Sequence, residues 1–247
     1  LSRHQTWVYN LAFYMLHSRP DAEDATQEIL VKIATSLASY RGASSFRTWA
    51  KKVAVNHVLD FRRSRPEQVV TGFGCYSEYL DKAVDVDVYT ERGQGPETTL
   101  LVDEARIACV MGMLLCLNRE QRVVFLLGEI LDTNDIIGAE LLGTTRANFR
   151  QKLHRAREQL TQFMNGRCGL VDAGNPCRCA RKTSAFVRDG IVDPGNIRFA
   201  RGHLAQLTVD AQQRDRELAG LLSDAQEQLR RLYPLFAVPY GREHHIA

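Results

Sequence analysis

Apolar residues fall at helical spacing through most of this chain, and one stretch, residues 66–99, breaks that spacing. A helix brings positions three and four apart onto one face. Leu11, Met15 and Leu16 make one such face, and Ile29, Ile33, Leu37 and Tyr40 a second, interleaved with Leu30 and Ala34. Trp49, Val53, His57 and Phe61, with Phe46 and Ala50, make a third. Asp21 after Pro20 reads as the cap of the second helix, and Gly42-Ala43-Ser44-Ser45 as turn and cap of the third. In the broken stretch, Pro66, Gly72, Gly74, Gly93, Gly95 and Pro96 interrupt any pattern, so it reads as a linker. Helical spacing returns near Thr98 and runs through Met113, then through 119–131, 132–142 and from Thr145 to about Phe163. No strand signal precedes residue 165. Residues 165–200 are rich in Gly, Pro and Cys and read as a compact irregular element. Leu204 to Leu232 predict one more amphipathic helix before Pro234. The expected fold is all-α. Two small helical domains, 1–65 and 100–163, are joined by a flexible linker, 66–99, and followed by a mostly helical extension, 164–247.

Charge is sorted along this plan. The net charge of +3 argues against a strongly basic polyanion binder until it is counted by segment. Arg41 to Arg65 holds seven bases against one acid, and Thr145 to Arg157 five against none, whereas Glu78 to Glu104 holds eight acids against two bases. The small total is a cancellation, and two basic blocks on patterned helices point to DNA or RNA rather than to solvated faces.

The second basic block has the layout of a helix-turn-helix. Ile136, Ile137, Leu141 and Leu142 form a short helix, Gly143 gives the turn, and Thr145 caps a second helix with Phe149, Leu153 and Ala156 inward. Arg146, Asn148, Arg150, Gln151 and His154 are then left facing outward. In this layout the second helix enters the major groove, where Arg pairs with guanine and Asn or Gln with adenine. Arg155 and Arg157 suit phosphates. The other reading of this block is a plain helical hairpin.

Taken together, the two blocks resemble the bacterial sigma-70 family, in its extracytoplasmic-function (ECF) group. Asp21-Ala22-Glu23-Asp24-Ala25-Thr26-Gln27-Glu28, Ser44-Ser45-Phe46-Arg47-Thr48-Trp49, Asn56 and Asp60-Phe61-Arg62-Arg63 resemble sigma region 2. Leu117-Asn118-Arg119-Glu120-Gln121 and Leu153-His154-Arg155-Ala156-Arg157-Glu158-Gln159-Leu160 resemble region 4. The resemblance implies a factor that binds core RNA polymerase through Asp24, Gln27 and Glu28. It also implies contact with the minus-ten DNA element through Arg47, Lys51, Lys52, Asn56, Arg62 and Arg63, Asn56 reading a base drawn out of the stack. The minus-35 element falls to Thr145, Arg146, Asn148, Arg150, Gln151, His154 and Arg155. Trp49, spaced with Phe46 and Val53, reads as core before stacking platform. Ala147, Asn148 and Phe149 depart from the commoner small-residue and Val pattern, so no promoter preference follows. Read without the resemblance, the same acids are N-terminal charges complementing the helix dipole, and the chain is a helix-turn-helix regulator without a polymerase role.

No catalytic motif stands out: there is no Lys-Ser or Lys-Thr phosphate loop, no His-Glu-x-x-His and no Gly-x-Ser-x-Gly. The chain is therefore expected to be no enzyme and to need no cofactor for this role. No apolar run approaches the roughly 18 residues of a membrane span, and no signal-type apolar core opens the sequence, which predicts a cytoplasmic protein. Six cysteines are too few for a disulfide scaffold. Cys168, Cys177 and Cys179 cluster in the extension, and with His203 (or His154) they are candidate zinc ligands. The alternatives for these thiols are a redox switch or inert packing. Core polymerase and promoter DNA are the expected partners, with an anti-sigma factor or self-inhibition by the extension as candidate controls.

Overall fold

The structure, a computed structural model, describes residues 2–131 and 133–197. The predicted 204–232 helix and His203 lie outside the described residues. In chain order the helices are α1 (Ser2–Leu16), α2 (Arg19–Thr35), α3 (Phe46–Asp60), α4 (Arg65–Val69), α5 (Phe73–Lys82), α6 (Val88–Arg92), α7 (Pro96–Cys116), α8 (Arg119–Phe125), α9 (Asp135–Leu141), α10 (Arg146–Arg167) and α11 (Cys179–Arg188). A π-helical turn, Leu126–Ile130, extends α8. The fold is all-α, as expected; among the described residues the one β feature is an isolated parallel bridge between Cys168 and Cys177. These helices make two compact units, one from 2–70 with 117–156, the other from 71–116 with 157–197.

The first unit is built on α1, whose Val8, Leu11, Ala12, Met15 and Leu16 are almost fully buried. Burying a side chain of this size stabilises by roughly 1.5–3 kcal/mol. Against α1 pack α2, through Ala22, Ala25, Ile29 and Ile33, and α3, through Ala50, Ala54, Val55 and Val58. The cap of α2 is Ser18, whose hydroxyl accepts from the Asp21 N–H at 3.5 Å, so Asp21 sits in the first turn rather than at the cap. Because α2 stops at Thr35, Leu37 leaves the predicted face and is exposed. Ser45 caps α3 as expected, accepting from the Thr48 N–H at 3.1 Å. The inner face of α3 lies beside the predicted stripe: Val53, His57 and Phe61 are only half-buried. Phe46 and Trp49 instead gather with Tyr40, at ring separations of 5.5–5.8 Å, in a half-exposed aromatic cluster. The same unit holds α8 and the helix-turn-helix α9–α10, with α8 and α9 each against α3.

Residues 66–99, expected to form a linker, carry α4, α5 and α6 and the start of α7. Tyr76, Leu80 and Val88 are buried there. Their partners come from α7 and from the extension: in the second unit α5 packs on α7, and α11 packs on α6 and α7. The acids of this stretch meet the bases of the tail. Asp85 lies 3.4 Å from both Arg181 and Lys182, Asp81 pairs with Arg167, and the Ser184 hydroxyl donates to Glu91. Tyr79 donates to Asp189 at 3.0 Å, and its ring stacks on Phe186 at 6.0 Å. The acidic segment and the extension thus share one folded unit, which replaces the linker-plus-tail plan.

Candidate nucleic-acid interface

The Thr145 side chain caps α10, accepting from the Asn148 N–H at 3.1 Å. Gly143 takes φ +59° in the preceding turn, a left-handed conformation that suits glycine. Phe149, Leu153 and Ala156 turn inward and are buried, which leaves Thr145, Arg146, Arg150, Gln151, His154 and Arg155 exposed along the other side. Asn148 is half-buried, its amide donating to the Thr144 hydroxyl at 2.7 Å. Asp135, the first residue of α9, faces this surface. Its carboxylate accepts from Arg146 at 3.2 Å and lies 3.5 Å from Arg150. Two candidate DNA contacts are thus held by an acid that the sequence reading did not single out.

On α2, Asp24, Gln27 and Glu28 stand together and are exposed. Arg62 lies 2.8 Å from Asp21 and 3.6 Å from Asp24, and its guanidinium sits 5.8 Å from the centre of the Phe61 ring. His57 lies 3.2 Å from Glu28. Burial, only partly opposed by Glu28, lowers its pKa, so it is largely neutral at neutral pH. The acidic edge of α2 and the basic end of α3 are therefore in contact. Arg47, Lys52, Asn56, Arg62 and Arg63 are exposed, while Lys51 is half-buried. Burial, with the neighbouring Arg47, lowers the Lys51 pKa.

A buried polar network ties this region to α8. The Glu67 carboxylate accepts from Arg119 at 2.6 and 2.9 Å and from Arg122 at 2.9 Å. The Ser64 N–H donates to it at 3.1 Å and closes a capping box at the start of α4. Arg119 also donates to the carbonyls of Leu59 (3.0 Å) and Arg62 (3.1 Å), and Arg122 to those of Met15 and Leu117. Burial would raise the Glu67 pKa; the hydrogen bonds from Arg119 and Ser64 and the charge of Arg122 outweigh it and hold the pKa down. Sequence reasoning missed this site, although Ser64-x-x-Glu67 is a legible capping-box signal.

In the second unit Cys168, Cys177 and Cys179 are half-buried free thiols. Among the described residues no three His, Cys, Asp or Glu side chains stand in metal-holding geometry. No helix among them is long and apolar enough to cross a membrane.

Comparison with known proteins bears on the same residues. The family described as Sigma-70 region 2 matches residues 1–66, which carry α1, α2, α3 and the Ser64 cap. The ECF RNA polymerase sigma factor SigG of Mycobacterium tuberculosis (strain H37Rv) is 30% identical over 164 residues, covering 60% of this chain and 43% of the relative. A probable RNA polymerase sigma factor of Haemophilus influenzae is 26% identical over 176 residues, covering 67% of this chain and 88% of the relative. The RNA polymerase sigma factor YlaC of Bacillus subtilis is 27% identical over 157 residues, covering 64% and 85%. The chain thus spans less than half the length of SigG and most of the other two. Residues 1–66 thus match Sigma-70 region 2 from α1 to the start of α4, and the chain is similar to RNA polymerase sigma factors, an ECF sigma factor among them, over well over half its length.

Proposed function

We propose that this chain joins core RNA polymerase and directs it to a set of promoters, leaving phosphodiester chemistry to the polymerase. The observation that carries this reading is the pairing of a region 2 match with a capped, solvent-facing basic helix behind a helix-turn-helix. Asp24, Gln27 and Glu28 are the residues proposed to meet a basic surface of the polymerase, giving orientation and fast association. Arg47, Lys51, Lys52, Asn56, Arg62 and Arg63 are proposed for the minus-ten element. Holding single-stranded DNA needs bases on apolar or aromatic surfaces and a basic track for the backbone. The exposed side of the Tyr40–Phe46–Trp49 cluster on α3 offers such a surface. Thr145, Arg146, Asn148, Arg150, Gln151, His154 and Arg155 are proposed for the minus-35 element. This activity belongs in the cytoplasm, with polymerase and DNA, and needs no cofactor. An anti-sigma partner or the extension would switch it off by covering the α2 edge or the α10 face.

Reconstituted transcription with core polymerase tests the proposal. Reversing the α2 charges (Asp24→Lys with Glu28→Lys) is expected to abolish polymerase capture and promoter-directed transcripts while leaving binding of the variant to duplex DNA intact. Capture that survives the reversal, or a wild-type chain that binds DNA but never polymerase, would make it a helix-turn-helix regulator instead.

A further inference from the structure

The sequence grouped three cysteines of the extension; the fold brings a fourth to them. Cys109, from the middle of α7, lines one small cavity with Cys177 and Cys179, closed by Leu80, Ala105 and Phe186. Cys168 joins through its backbone. It bridges to Cys177, with the Gly169 N–H donating to the Cys177 carbonyl at 3.1 Å and the Cys177 N–H to Arg167 at 3.4 Å. The Val171 and Asp172 N–H groups fold back on the Cys168 carbonyl at 3.1 and 3.0 Å, making a tight knuckle after it. Every pair among the four sulfurs is close enough to interact electrostatically. All are free thiols, while Cys75 and Cys116 lie outside the group.

We propose that Cys109, Cys168, Cys177 and Cys179 form a tetrathiolate site for a zinc-class divalent cation. Four sulfur ligands, from α7, the segment between α10 and α11, and the start of α11, are the donor set that a soft-tolerant tetrahedral d10 ion takes. Binding releases four thiol protons, so M²⁺ and four Cys–SH give one M(S-Cys)4 centre of net charge −2 and four H⁺. The surroundings suit that charge. Arg106 hydrogen-bonds to Cys179, and its Nε is buried with no hydrogen-bond partner. Lys182 and Arg167 lie beside Cys177. In the structure the sulfurs are thiols and no three are yet aimed at one point; binding draws them in as their protons leave. The fourth ligand is then Cys109 within α7. The metal clamps α7 to the extension.

The experiment uses the full chain purified anaerobically and needs no polymerase, so its failure leaves the promoter reading untouched. Metal analysis is expected to find one zinc per chain, and cobalt substitution the intense sulfur-to-metal and d–d absorption of a tetrahedral four-sulfur centre. Cys109→Ser is expected to weaken metal retention against a chelator by at least about tenfold, and Cys75→Ser to change nothing. Should Cys109→Ser fail to fold, alkylation of the wild-type chain decides: Cys109, Cys168, Cys177 and Cys179 become reactive together when a chelator is added. Absence of bound metal in the wild type, a folded Cys109→Ser that holds metal as tightly, or Cys109 alkylated equally fast with and without metal overturns the site.

Discussion

Asp135 holds Arg146 and Arg150 where the proposed reading helix must meet DNA. Pairs this exposed are worth about 0–1 kcal/mol, so the acid acts as a weak competitor for phosphate or base edges. Asp135→Asn frees both guanidiniums, and duplex DNA is expected to bind about two- to fivefold tighter, with a steeper salt dependence. Unchanged or weaker binding in a fluorescence-anisotropy titration would show that Arg146 and Arg150 do not face DNA. Glu67 is the opposite case, buried and accepting from two arginines. Removing one partner of such a group leaves charge uncompensated, so Glu67→Gln is expected to cost the first unit about 3–5 kcal/mol. Its folded pKa lies below the unfolded value. The stability it gives is therefore complete above about pH 4.5 and lost as pH falls through the folded pKa. His17, half-buried with both ring nitrogens shut away from solvent and its pKa lowered by burial and by Arg122, starts earlier. Its unfolded form takes up a proton below about pH 6.5 while the folded form does not, so stability falls from there. Denaturant midpoints against pH should decline in both ranges, and Glu67→Gln should remove only the lower one.

Between α9 and α10 the packing leaves no slack. A Cβ on Gly138 would stand 2.5 Å from the Phe149 ring. Gly138→Ala must push that ring out of the core, at a cost of about 1–3 kcal/mol. A urea midpoint that does not move would mean the ring has room. This element was legible in the sequence because its signals are local: periodic Phe149, Leu153 and Ala156, a glycine turn and a threonine cap. Sigma region 2 was legible for the same reason, through the Ser45 cap and the motif residues on α2 and α3. The helices α5 and α6 were not legible. They are short, bounded by Gly72, Gly93 and Pro96, and owe their burial to α7 and α11. Tyr79 finds its acceptor 110 positions away at Asp189, and Cys109 finds its neighbours Cys168, Cys177 and Cys179 far along the chain. No window of local spacing carries such pairings. The same holds for Glu67, whose capping box is local but whose arginines sit beyond three intervening helices, on α8.

At the scale of the molecule, the first unit holds both proposed DNA surfaces, α3 and the start of α10, with α8 and α9 packed against α3. A body of about 110 residues has a radius of gyration of about 13 Å, so its surfaces lie within about 35 Å of each other. Elements named for positions 10 and 35 are separated by about 25 base pairs, or about 85 Å of duplex at 3.4 Å per pair. Duplex DNA is stiff over about 150 base pairs, and folding 25 of them back on one small unit costs more than a few contacts return. Both elements are therefore not engaged while this unit stays closed. Promoter binding under the proposed function must part α3 from α8 and α9, and the Glu67 bonds to Arg119 and Arg122 are what it breaks. A dye pair at Ala38 and Glu140, both exposed in this unit, reports that seam. Energy transfer is expected to be high in the free chain, lower in Glu67→Gln, and lowest once core polymerase and promoter DNA are bound. Transfer that stays high in a transcribing complex would show that the closed unit reads DNA as it stands, and the spacing argument would be wrong.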